Sequence, residues 1–382
     1  MKVNKFLKGV AFVSIILSMS TNVVLAGGSQ TGAGITFEEG EPEDPGGGGG
    51  GSVDKKYVIL ASGQKYTDVL TSTVLANEKK CPILLTAKDS VDDQTLAEIK
   101  RLKTDEVIIS GGTDSVSENV VSQLSNAYTV RRIAGKNRYE TAIQVGNEVR
   151  DLTGNKSGAM LVDGTNFPDV ITISGLATQR RIPILLTTPA SLSKSTEDTI
   201  ANWSIRDITI GGGTNSVSKK IENNLSVDSV ARFGGTDRYE TAVIVGQEVR
   251  NKTGNLKDMV LVDGTDFPDG LTVSTLAANF KAPILLTKPS ELHYLTKSKM
   301  KNWAIENVLI GGGPSSVSEK IETTLDAKKV ERVSGANRYE TAVKISQRLT
   351  RVSVPIGRMG PQQEEKKSGI FRSIYIKLFG RG

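Results

Sequence analysis

Four sets of residues in this sequence have the types and spacings from which chemistry is made. The first is a recurring pair of carboxylates, Asp163 with Asp169 and Asp263 with Asp269. Two acids at a set separation are the equipment of glycoside hydrolysis. Where a third pair would fall, Ser62 stands in place of the first acid and only Asp68 remains, so the pattern predicts turn and cap residues rather than a catalytic pair. The second set is His293 and Cys81, the only histidine and the only cysteine. Zinc sites draw on several such ligands, and nucleophilic catalysis needs a base beside its nucleophile. A single cysteine also leaves no disulfide within the chain. These residues predict a protein that is not an enzyme and carries no metal or cofactor.

The third set is glycine turns, Gly111 and Gly112, Gly211 to Gly213, and Gly311 to Gly313, each after an apolar run and before a helical one. Main-chain N–H groups in such turns are able to cradle a phosphate. Neither the P-loop ending nor the dinucleotide G-x-G-x-x-G spacing is present, so tight-turn glycines are the simpler reading. The fourth set is "NRYETA" at 137–142, written again as "DRYETA" at 237–242 and "NRYETA" at 337–342. Asn137, Asp237 or Asn337 is placed to cap a helix, with Glu140, Glu240 or Glu340 three residues on to return a bond to the cap's own N–H. Capping leaves Arg138, Arg238 and Arg338 unexplained; a salt bridge orienting units against one another is the plain expectation for them.

The elements that hold these residues repeat with the same period. "YVILASGQKYTDVL" (57–70) aligns with "AMLVDGTNFPDVI" (159–171) and "MVLVDGTDFPDGL" (259–271), and "CPILLTA" (81–87) aligns with "IPILLTT" (182–188) and "APILLTK" (282–288). "EVIISGGTDSVS" (106–117), "DITIGGGTNSVS" (207–218) and "NVLIGGGPSSVS" (307–318) follow. The apolar runs are short, rich in Val, Ile and Leu and without polar alternation, which predicts parallel strands buried on both faces. Helical spacing lies between them, as in 92–102 with Leu96, Ile99 and Leu102 on one side. The fold class is therefore α/β, three tandem Rossmann-like units of parallel sheet with right-handed crossovers, over 57–150, 158–250 and 258–350. A period near one hundred is too long for a solenoid repeat.

The ends differ from the repeats. Residues 1–26 carry Lys2, Lys5 and Lys8 ahead of an apolar run, the layout of a secretory signal peptide cut after Ala26; stable membrane insertion is not expected. Residues 27–56 are a glycine-rich acidic linker, and 351–382 read as an irregular basic tail. The net charge of +6 contains +3 from the leader, −5 from residues 27–52 and +5 from the tail, leaving +3 on 53–350. That is too little for a nucleic-acid surface.

Taken in order and in register, "IAGKNRYETA", "LVDGTDFPDGL", "APILLTK" and "VLIGGG" resemble the cell wall-binding repeat 2 family of Gram-positive surface proteins, over roughly 57–350. The resemblance implies three repeats packed with pseudo-threefold arrangement and a secreted, non-catalytic protein held non-covalently on an anionic cell wall polysaccharide. The alternative it leaves is the binding part of a wall amidase or protease whose catalytic domain lies elsewhere. It also implicates the triplets Ile83, Leu84 and Leu85, then Ile184, Leu185 and Leu186, then Ile284, Leu285 and Leu286 in attachment. From the residues alone these triplets read equally as the middle of a buried strand. Thr86, Thr187 and Thr287 follow them at the carboxyl ends of strands, the usual ligand position in open α/β sheets. Ser62 departs from the family pattern, so any role needing that carboxylate is absent from the first unit. Oligomeric state is not legible.

Overall fold

Short Val, Ile and Leu runs bounded by glycine turns form twelve parallel strands in the computed structural model, which describes residues 55–266, 271–351, 355 and 356. The signal peptide, nearly all of the linker and nearly all of the tail lie outside the described residues, as does Asp269.

In the first unit β1 (Tyr57–Ser62), β2 (Ile83–Thr86), β3 (Glu106–Ser110) and β4 (Thr129–Ile133) alternate with α1 (Tyr66–Thr71), α2 (Thr73–Glu78), α3 (Asp93–Arg101), α4 (Glu118–Ser125) and α5 (Arg138–Thr153). The second has β5 (Gly158–Asp163), α6 (Pro168–Arg180), β6 (Ile184–Thr187), α7 (Lys194–Asn202), β7 (Asp207–Gly211), α8 (Lys219–Asn223), β8 (Ser229–Phe233) and α9 (Arg238–Thr253). The third has β9 (Asp258–Asp263), α10 (Val273–Phe280), β10 (Ile284–Thr287), α11 (Tyr294–Asn302), β11 (Asn307–Gly311), α12 (Glu319–Thr324), β12 (Lys329–Val333) and α13 (Arg338–Leu349). Each unit owns one four-stranded sheet, ordered β2-β1-β3-β4, β6-β5-β7-β8 and β10-β9-β11-β12. The three separate sheets match the expected α/β class.

The side-chain alternation of a strand divides the core into layers. Ile59, Ile83 and Leu85 face a core shared by all three units, while Leu60, Leu84 and Ile109 face the outer helices of their own unit. At the centre α2, α6 and α10 pack on one another, the three related by the pseudo-threefold. Small hydroxyl side chains permit that approach: Thr73 Oγ1 lies 3.1 Å from Ser274 Oγ, and Ser174 is equally buried.

The last helix of each unit leaves its own sheet and covers the next one. α5 packs on β6, α9 on β10, and α13 closes the ring on β2. Ile143 of α5 sits in the outer core of the second unit, and Val343 of α13 in that of the first. Gly146 makes the crossing of α5 possible, because a Cβ there would stand 2.7 Å from the Trp203 ring and 3.1 Å from Pro183. Pro355 and Ile356, just beyond α13, extend the packing: the Pro355 carbonyl accepts from Arg348 and Ile356 is buried. Among the described residues no helix is long and apolar enough to cross a membrane.

Candidate functional site

The repeated hexapeptide starts a helix as expected, with one difference. Asn137 and Asn337 each accept from two main-chain N–H groups, and Asp237 from one. The glutamate returns not to the cap's own N–H but to the residue before it: Glu140 accepts from Lys136 at 3.0 Å, Glu240 from Thr236 at 2.7 Å and Glu340 from Ala336 at 2.8 Å. The extended backbone of the cap, with φ near −150° at Asn137, presents the preceding amide instead.

The arginine does orient units, but the bond seen is not the expected salt bridge. Arg138 Nη1 donates to the Gly164 carbonyl at 2.6 Å, Arg238 Nη1 to Gly264 at 2.5 Å, and Arg338 Nη1 to Gly63 at 2.6 Å. Each acceptor lies in the turn after the first strand of the next unit, where a glycine offers only its carbonyl. Tyr66 Oη donates to the same Gly164 carbonyl at 3.1 Å.

These turns form one wall of a cleft of about 660 Å³ in the second unit. Asn166 comes from the β5–α6 turn and Asp169 from the first turn of α6, Gly213, Thr214, Asn215 and Ser216 follow β7, Gly234 to Asp237 follow β8, and Arg238 and Glu240 begin α9. The cleft therefore opens at the carboxyl ends of the strands, where β6 and β7 depart to opposite sides of β5, the position at which open α/β sheets take ligands. Its floor is set by the glycine turn. Gly212 has φ of +108°, and a Cβ there would meet the Asp169 carboxylate at 2.4 Å, so the acid sits directly against the turn. Gly111 and Asp68 repeat the arrangement in the first unit.

Asp163 and Asp263 hold turns as expected, whereas Asp169 does not cap its helix but bonds the turn after β7. Asp163 accepts from Thr165 N–H and hydroxyl at 2.8 and 2.7 Å, and Asp263 does the same with Thr265. Ser62 makes a longer version of this turn with Gln64 N–H at 3.2 Å. Asp169 accepts from the Ser216 hydroxyl at 2.6 Å. Burial pushes its carboxyl above the ordinary range, and burial raises Asp68 to about 6. Cys81 is buried, its thiol pushed up to about 12 by desolvation. Among the described residues no three His, Cys, Asp or Glu side chains gather as a metal site.

The triplets form the centres of β2, β6 and β10. Ile83, Leu84, Leu85, Ile184, Leu185, Leu186, Ile284, Leu285 and Leu286 are all buried, none more than 3% exposed. Thr86, Thr187 and Thr287 are buried as well, their hydroxyls spent on carbonyls of their own loops, Ser90, Ser191 and Glu291. The structure thus separates the triplets from solvent. In the second unit Leu186 lies under the turn that carries Asn166 to the cleft, since a Cβ on Gly164 would stand 3.1 Å from it; Gly264 has the same separation from Leu286. The cleft residues beyond the glycines, Thr214, Asn215 and Asp237, were not singled out as ligand contacts. The signal for them was present, since every repeated motif except the helix body falls at a strand's carboxyl end.

Fold and cleft together define a repeat-built α/β binding module. The sequence model of the family described as cell wall binding domain 2 (CWB2) matches residues 36–121, 132–222 and 232–322, and the chain belongs to that family. The second and third matched segments open just ahead of an RYETA helix and continue into the following sheet, the same pairing that α5 makes with β6 and α9 with β10. N-acetylmuramoyl-L-alanine amidase LytC of Bacillus subtilis is 30% identical over 268 residues, covering 70% of this chain and 52% of the amidase. The Bacillus subtilis protein described as amidase enhancer is 29% identical over 270 residues, covering 70% of this chain and 36% of its own length. Among solved structures, Cwp6 from Clostridium difficile aligns with a TM-score of 0.60 at 25% identity over 76% of this chain and 44% of its own. Cwp8 from the same organism gives 0.59 at 26% identity over 77% and 47%. The chain spans about half or less of the length of these relatives.

Proposed function

We propose that this chain is exported and attaches non-covalently to the bacterial cell wall by holding an anionic wall polysaccharide at the strand-end clefts of its three units, without catalysis of its own. The observation that carries this reading is the cleft of the second unit, built from turns whose sequences recur in the other two. A polymer that itself repeats meets several modest sites at once, and effective concentration turns them into retention. The small net charge of 53–350 suits a few directed contacts rather than a strongly basic surface.

In this reading the triplets act from beneath. Leu186 and Leu286 carry the turns whose carbonyls the neighbouring arginines grip, so the apolar residues of β6 and β10 support those turns without touching polymer. The similarity to LytC and to the amidase enhancer favours a second reading, in which the same three units are the binding portion of a longer wall-hydrolase protein. Loss of turbidity from purified walls, measured with the protein as its native source exports it, separates the two: none is expected in the first reading and a loss in the second.

The test is sedimentation with purified Gram-positive walls, intact and stripped of anionic polymers. The parent is expected to pellet with intact walls and to remain in solution with stripped ones. Thr113→Glu, Thr214→Glu and Pro314→Glu together, all at exposed turn positions, are expected to lower retention about tenfold through like-charge repulsion. Equal binding to intact and stripped walls would remove the anionic polymer as ligand, and full retention by the folded triple variant would remove the clefts.

A further inference from the structure

Pseudo-symmetry supplies an internal control for every surface position, because three copies of one element show what the fold requires and what it does not. The helix after the triplet is such an element. On α7 Lys194 pairs with Asp198 at 2.6 Å and lies 3.9 Å from Glu197, and Ser193 caps the helix. On α3 Asp92 caps. On α11 the corresponding residues are Tyr294, Lys297 and Ser298, and the cap position is His293, which makes no side-chain cap bond. The third unit has thus given up both a stabilising cap and the acids that neutralise a lysine. In their place it sets Lys297 and Lys301 one turn apart, where like charges destabilise a helix. Among the described residues no ion pair engages Lys297, Lys299 or Lys301.

What these departures build is a groove of about 320 Å³ between α11 and the end of α12, with Leu292 and Met300 as apolar floor, Tyr294, Lys297 and Lys301 along one side, and Thr324 and Asp326 opposite. Tyr294 is 69% exposed, the most exposed large hydrophobic side chain among the described residues. Its backing is ordered: His293 lies 4.7 Å from it, and His293 is itself stacked on Tyr239 of the preceding unit at 3.7 Å and 11°. An open aromatic face takes the C–H face of a sugar ring, since it offers apolar area with little conformational entropy to lose. Two lysine ammoniums beside it supply the charge for an acidic group on that ring.

We propose that this groove, whose Tyr294 and Lys297 are replaced by Lys194 and Glu197 in the second unit, is an additional binding site for an acidic sugar unit, a uronate or a sugar phosphate, whose ring stacks on Tyr294 while its anionic group sits between Lys297 and Lys301. The proposal rests on the wall-binding reading for its biological setting, though the site itself is defined by its own chemistry. It makes the three units unequal: the strand-end turns recur in all three, and the third adds a charge-selective contact.

A variant that the fold already tolerates tests it. Tyr294→Lys, Lys297→Glu and Ser298→Asp together write the second unit's residues into the third. Binding of galacturonic acid oligosaccharide to the whole chain, followed by calorimetry, is expected to weaken about tenfold or more in this variant. The methyl-esterified oligosaccharide, which keeps the rings and loses the charge, is expected to bind the parent as weakly as the acid binds the variant. Glucose 6-phosphate as a second probe separates phosphate from uronate preference. Equal affinity of parent and variant for both acidic probes overturns the site, as does a methyl ester that binds the parent as well as the acid. A parent that binds the probes yet fails to sediment with walls overturns the wall-binding reading and leaves the groove standing.

Discussion

At the scale of single residues the most consequential group is the buried acid against the glycine turn. Asp68 has its carboxyl raised from 3.8 to about 6, chiefly by burial, with a bond from Ser115 opposing the shift. A raised folded value means the folded chain holds the proton more tightly than the unfolded one. The stabilisation is therefore fully present below about 3.8 and is lost as pH rises through about 6, a difference of roughly 3 kcal/mol by linkage. Asp68→Asn keeps the shape and removes the charge. Relative to the parent it is expected to be more stable at pH 7, with the advantage shrinking steadily as pH falls toward 4. Denaturant midpoints measured across that range check the sign; an advantage that grows on acidification would contradict it.

At the scale of elements the triplet strands and the RYETA helices are one device. The strand carries the turn, the turn offers a carbonyl, and the helix of the preceding unit brings the arginine that binds it. Leu186→Ala removes the support under Gly164 from a fully buried site, and a buried leucine lost from a packed core costs about 2–5 kcal/mol. The expected outcome is a lowered denaturation midpoint, with wall retention of the still-folded protein reduced less than by the exposed turn substitutions. A variant of parental stability that no longer binds walls would put the leucine itself in contact with polymer. Sequence patterning had already made these strands legible, because Val, Ile and Leu without polar alternation describe burial on both faces. It had not revealed that the same leucine lies under the turn that carries Asn166 to the cleft.

At the scale of the whole molecule each unit lends its last helix to its neighbour, so none is complete alone. Glu98 of the first unit accepts from Ser346 of α13 at 2.5 Å, and with Arg338 on Gly63 this closes the ring across the full repeat array. Three domains joined only by linkers would unfold in up to three steps; three that share helices are expected to unfold as one. Calorimetry should give a single transition whose van't Hoff and calorimetric enthalpies agree. A chain ending before Asn337 should lose that agreement, with β2 uncovered and the first unit cleaved first in limited proteolysis. Independent melting of three units in the parent would show that the shared helices do not couple them.

The sequence by itself determined the repeat, the α/β class, the strand and helix positions and the helix caps, because each of these is written within a few residues: apolar periodicity, a cap and its glutamate, a glycine after a strand. Tertiary structure alone decided which sheet each RYETA helix covers, what its arginine binds, and that the triplets are buried rather than at the surface. The apolar face of α13 would be buried equally well on its own sheet or on the next one, and nothing local distinguishes the two. The choice is made by contacts such as Arg338 with Gly63, 275 residues apart in sequence, which exist only once the ring has closed.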